Sequence, residues 1–291
     1  MTHKKVRYSD ILSGLEGFDD WLRRLGVPVQ QSDRAHYAIR VVERAEMAFQ
    51  TGVDTNTIGI SKAEYLFALT EALELHDVYL ALRNHDPVEL RIRLTRALSG
   101  PALPDAETRK SSDGRNIMFE LALAAEWSLR GASVALLEPD LLLEGANLHY
   151  FVACKRPLHD HTVPAALNDA ASQLRSALSS APKNHFGIIA ISFSRILNHG
   201  NKFFSGTYEQ LSDLLTALMT SNRSLWRKTR FHPRNIAVLF HAHTPADWGD
   251  GLFRMSASVM GPALEEEPVH LGLRDDMERL YRDTYDESSQ T

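Results

Sequence analysis

The sequence predicts an α/β fold, a central mixed β-sheet flanked by helices and preceded by an N-terminal helical region. Three observations carry this. Residues 1–100 show apolar spacing of helical period with capping signals. From Ser112 onward, helical segments alternate with short apolar runs bounded by turn residues. Between them, the segment GPALPDAETRKSSD holds two prolines and many polar residues, and reads as a linker or boundary. The expected organisation is a helical region over 1–105 and an α/β domain over 106–291, with an acidic helix at its end.

Each element has its own signal. Ala35, Ile39, Val42 and Ala45 fall at helical spacing. Ser61 caps a helix from Lys62 to about His76, with Glu64 at the capping-box position. Asp86-Pro87 opens another, which Gly100 stops. This helical region shows no obvious chemistry. A helix from about Arg115 to Arg130 follows, capped by Ser112 or Asp113 and ended by Gly131. Apolar runs at 132–137, 140–143 and 148–154 come next, then a helix over 164–180 and a strongly apolar strand over 187–193. A helix over 208–226, strands over 236–241 and 252–259, and a last helix near 274–285 complete the chain.

Composition narrows the function. The 291 residues are 44% hydrophobic and 24% charged, ordinary values for a globular protein. A single cysteine excludes an internal disulfide scaffold and a Cys-rich zinc site. There is no apolar run of about 18 residues, and MTHKKVRYSD lacks the apolar stretch of a secretory signal. A cytoplasmic protein without a membrane span is expected. The net charge of −5 by itself argues against a nucleic-acid partner, but residues 264–291 alone carry −6, leaving +1 for the rest. Charge sign has to be judged locally.

Glu120 sits within an apolar helical run, where a carboxylate needs an ion pair, a hydrogen bond or a metal. Glu138-Pro139-Asp140 precedes Leu141–Leu143, and Glu144–Asn147 reads as a hairpin turn. If Leu143 pairs with Leu148, position 140 lies opposite 151, and Asp140, Phe151, Ala153 and Lys155 share one face. Ordinary structural roles exist for each: a buried ion pair for Glu120, a turn for Asp140, and a strand-end lysine reaching water for Lys155. Gln173 lies on the helix that follows.

Taken in order, Glu120, Pro139-Asp140, Ala153-Cys154-Lys155 and Gln173 resemble the PD-(D/E)XK nuclease superfamily, over about residues 112–195. The resemblance implies a restriction-endonuclease-like core and a phosphodiesterase dependent on Mg²⁺ or Mn²⁺, acting on DNA. It casts Asp140 as a metal ligand, Glu120 as an auxiliary ligand and Cys154 as the donor of a backbone carbonyl. Lys155 becomes the catalytic lysine, and Gln173 a residue that positions the substrate backbone or the metal site. Such a metal would make water nucleophilic and neutralise phosphate charge. A role in defence against foreign DNA is an analogy at the level of fold.

The sequence departs from this pattern at Ala153, where the family carries an acid. A methyl group cannot bind a metal, so the chain as written is expected to be an impaired or inactive nuclease. Either an active nuclease carries an acid-to-alanine substitution here, or a naturally inactive module binds nucleic acid or a protein. Retention of Glu120, Asp140 and Lys155 favours the first.

Arg223, Arg227, Lys228, Arg230 and Arg234 form a basic stretch interleaved with Trp226, Phe231 and His232, a composition suited to phosphate contact and base stacking. A solvated helix end explains it equally simply. His241 and His243 place two imidazoles on one strand face, and His159-Asp160-His161 forms a second cluster. Among thirteen histidines such clusters arise by chance, so a hydrolase built on His241 and His243 stands third. Ser192 and Ser194 read as structural hydroxyls or substrate contacts, and Lys202 as a loop residue that could meet phosphate. The helical region is a candidate for recognition, self-association or a protein partner.

Overall fold

The computed structural model describes residues 8–28, 33–85, 87–108, 111–145, 148–197, 204, 206–247, 252–262, 272 and 276. Five helices come first: α1 (Tyr8–Gly14), α2 (Phe18–Leu25), α3 (Arg34–Thr51), α4 (Lys62–Leu82) and α5 (Pro87–Ala97). Then follow α6 (Asp113–Leu129), β1 (Ser133–Leu136), β2 (Leu141–Glu144), β3 (His149–Lys155), α7 (Val163–Ser180) and β4 (His185–Ser192). The chain continues with α8 (Ser194–Leu197), α9 (Tyr208–Ser221), α10 (Arg223–Lys228), β5 (Asn235–Asp247) and β6 (Leu252–Pro262). The last expected helix, near 274–285, lies outside the described residues apart from Asp276. No described helix is long and apolar enough to cross a membrane.

The six strands form one mixed sheet in sequence order. β1, β2 and β3 make an antiparallel meander. β3, β4 and β5 are parallel, and β6 returns antiparallel. α7 supplies the crossover that a parallel β3–β4 pair requires. Alternation along each strand sends its side chains to two layers. Tyr150, Val152, Cys154, Ile188, Ala190 and Leu239 join the core built with α1–α6. Ala153, Ile189, Ile191, Val238 and Phe240 join a second core under α7 and α9.

The segment around residue 105 does not interrupt the first core. Leu94 and Leu98 belong to the same apolar cluster as Leu121 and Tyr150. Arg115 donates to the carbonyls of Pro101 and Ala102 at 3.0 and 2.9 Å. Gly114 packs so tightly that a Cβ there would lie 2.2 Å from the Ser99 carbonyl oxygen. The buried guanidinium of Arg34 meets Glu71 at 2.7 Å and fastens α3 to α4.

Several expectations need correction. The β2–β3 register pairs Leu143 with Tyr150, not with Leu148. Leu148 belongs to the turn, where its carbonyl accepts the Gly145 N–H at 2.8 Å. A shift of two residues keeps every side chain on its face, because the strand period is two. It does move Asp140 from beside Phe151 towards Ala153. α4 starts as expected, with Ser61 Oγ accepting from the Glu64 N–H at 3.2 Å. It continues past His76 because Val78, Tyr79 and Leu82 prolong its buried face. The helix expected over 208–226 is two helices. Asn222 separates them and returns its side-chain amide to the Leu218 carbonyl at 2.8 Å.

Candidate functional site

The sheet and its two flanking layers bring Asp140, Lys155 and Gln173 together. Asp140 enters β2 directly after the cis Glu138–Pro139 bond. Its Oδ2 accepts the Cys154 N–H at 2.6 Å and lies 4.0 Å from Lys155 Nζ. Lys155 ends β3 and donates to Gln173 Oε1, one layer away on α7, at 2.5 Å. Cys154 points into the opposite layer, where it is buried and free of any disulfide.

Glu120 approaches the same place from α6. Burial and then the neighbouring Asp140 push its carboxyl up to about 8, against the pull of Arg93 and Lys155. Burial likewise pushes Asp140 up to about 6, opposed by Lys155, the Cys154 N–H and Arg93. Glu120 is also held in an ion pair by Arg93, whose Nε keeps a second pair with Glu89 at 3.0 Å. Arg93 corrects the expectation that the helical region carries no chemistry. Its signal was a cation between Leu90, Leu94 and Ala97 on the buried stripe of α5.

Ala153 is fully buried among α7-facing aliphatic side chains, Leu167 and Ile189 among its cluster. It contributes no donor. Glu120 is engaged by Arg93, and one Asp140 oxygen by Cys154. Mg²⁺ prefers an octahedral set of oxygens, and the residues present, two carboxylates facing two cations, do not fit such a site as they stand.

The basic stretch is divided. Arg223, Lys228 and Arg230 are exposed at or beside α10. Arg227 lies in the helix, but its side chain is outside the described set. Arg234 is a correction. Its guanidinium donates to the carbonyls of Leu178, Ala181, Pro182 and His185, at the end of α7 and the start of β4. It closes orphan helix carbonyls rather than presenting charge.

His241 and His243 lie two apart on β5 and face α6, where Glu126 meets them. One oxygen from Glu126 and one ring nitrogen from each histidine lie within 4.8 Å of one another, a possible metal-binding triad. Burial raises the Glu126 carboxyl, but the attraction of His243 and the charges of His241 and Arg130 outweigh it and leave it lowered to about 2. Sequence reasoning found the two histidines and missed Glu126, which looks like an ordinary helical partner of Arg130 at i,i+4. The other cluster, His159 and His161, stacks its rings 5.3 Å apart on an exposed 3-10 turn. Ser192 and Ser194 bond each other at 3.0 Å, and Ser194 Oγ accepts the His243 N–H at 2.9 Å, a structural role. Lys202 lies outside the described residues.

No family model, curated protein or solved structure matches the chain.

Proposed function

We propose that the chain is a nuclease-like module of the PD-(D/E)XK kind that engages the phosphodiester backbone of nucleic acid, DNA being the expected polymer. The observation that carries this is the convergence of Asp140, Lys155 and Gln173 from three successive elements of the sheet and its crossover helix. The ammonium of Lys155 is the phosphate-facing charge, and Gln173 orients it. Asp140 is locked against the β3 backbone, so the site is preorganised. Cleavage, with Mg²⁺ or Mn²⁺, requires an acid at position 153, which this chain lacks. The decisive experiment compares cleavage by the chain with cleavage by its Ala153→Glu variant.

The second reading is a naturally inactive binding module. The aliphatic burial of Ala153 and the occupation of Glu120 by Arg93 favour it, since both leave the site complete without a metal. The exposed cations at α10 would then provide the nucleic-acid contact.

A further inference from the structure

Two strand histidines at i,i+2, a helix glutamate and three orienting partners meet in one place between α6 and β5. Glu126 Oε2 lies 3.8 Å from His243 Nε2 and 4.0 Å from His241 Nε2. Those separations exceed a hydrogen bond. They come close to the roughly 3.4 Å that separates two ligand atoms bound at about 2.0–2.1 Å around a tetrahedral ion. A contraction of about half an ångström would bring each Glu126–histidine separation to that value, and the three ligand atoms already lie within 4.8 Å of one another.

The far side of each ligand is already fixed. His241 Nδ1 meets Ser258 Oγ at 2.6 Å, and the ring stacks on Phe119 with centroids 5.6 Å apart. His243 Nδ1 meets Glu74 Oε1 at 3.0 Å. Glu126 Oε1 is held by Arg130 at 2.9 Å, which aims Oε2 at the two imidazoles. Outer partners of this kind set the tautomer and direction of metal-binding histidines. Here they come from α4, α6 and β6, so the arrangement is built by the whole fold rather than by one loop.

We propose that Glu126, His241 and His243 bind one divalent transition-metal ion of the Zn²⁺ class. Two imidazoles and one carboxylate suit zinc, whereas Mg²⁺ favours oxygen ligands throughout. The site is distinct from the Asp140 cluster. Glu126 lies six residues from Glu120, about 9 Å along the helix, and β5 is two strands from β3. The ion would tie α6 to β5 beneath α4 and add to the stability of the folded state.

The test is Zn²⁺ titration of the chelator-stripped full chain, by calorimetry and thermal melting, with Co²⁺ absorption as a readout of geometry. The expected result is one Zn²⁺ per chain, a raised Tm and visible Co²⁺ bands, with no response to Mg²⁺ at the same concentration. Glu126→Gln, which keeps size and shape, should weaken binding more than tenfold, and the His241→Ala, His243→Ala pair should abolish it. Glu74→Gln should cost ten- to a hundredfold through the loss of an orienting bond. Asp140→Asn should leave the stoichiometry unchanged. No uptake by the folded chain would overturn the proposal. So would uptake that persists at full affinity in folded Glu126→Gln, because the ion would then sit elsewhere.

Discussion

Lys155 Nζ donates to Gln173 Oε1 at 2.5 Å, across the gap between the end of β3 and the middle of α7. The same ammonium stands 4.0 Å from Asp140 Oδ2. A strand-end lysine that merely reached for water would have no such partners on two other elements. In the proposed function it is the charge that meets a phosphate. Lys155→Met should therefore weaken nucleic-acid binding and reduce the slope of log K against log salt by about 0.9. Fluorescence anisotropy over a salt series reads both effects. Gln173→Ala, which removes the guide and keeps the charge, should lower affinity while leaving the slope nearly unchanged.

The Arg93–Glu120 pair is buried, and breaking one side should cost more than removing both. Glu120→Leu leaves the buried guanidinium with Glu89 and the Leu137 carbonyl but without its buried counter-ion, and should destabilise by about 3 kcal/mol. Adding Arg93→Met to it should recover most of that loss. Urea denaturation of the two single variants and the double variant closes the cycle. Equal and additive losses would show that the two side chains act independently.

Glu120 and Asp140 hold protons more tightly in the folded chain than in the unfolded one. The folded state therefore binds more protons than the unfolded state across the interval between the paired values. Stability from this cluster falls as pH rises, from about 4 through about 8, and is recovered on acidification over the same window. Carboxyl NMR titration should find Glu120 protonating above the usual carboxylate range. In Asp140→Asn its value should drop, because the repelling charge is gone. An unchanged Glu120 titration would separate the two carboxylates.

Arg234 and the exposed cations near α10 should behave differently. Arg234→Ala removes a charged donor from the carbonyls at the end of α7, and should cost about 2 kcal/mol of stability. It should leave the salt slope of nucleic-acid binding alone. Reversing Arg223, Lys228 and Arg230 to glutamate should leave stability nearly intact and weaken binding steeply at low salt. A loss of binding in Arg234→Ala at full stability would return that residue to the contact surface.

Much of this arrangement was legible in the sequence. The apolar circumference of the helix around Glu120 announced its burial, and the element order placed Asp140, Lys155 and Gln173 near one another. Strand parity survived the register error, because a displacement of two residues preserves faces. The turn itself was misread because Leu148 looks like a strand residue, yet its carbonyl closes the turn. Arg93 was not legible as a site residue, since its partner lies 27 positions away on another helix. Glu126 was hidden behind Arg130, and only the pairing of β4 with β5 brings the two histidines opposite it. Long-range partners of this kind leave no periodic trace in the chain.

In the proposed function, Asp140, Lys155 and Gln173 form a phosphodiester site whose missing part is an acid at position 153. The direct measurement is cleavage of single- and double-stranded DNA, and of RNA, with Mg²⁺ or Mn²⁺. It compares the chain with its Ala153→Glu and Ala153→Gln variants, each first confirmed to be folded by circular dichroism. The expected result is cleavage by Ala153→Glu alone, abolished again by adding Lys155→Met. Folded Ala153→Glu protein that cuts none of these substrates with either metal would contradict it.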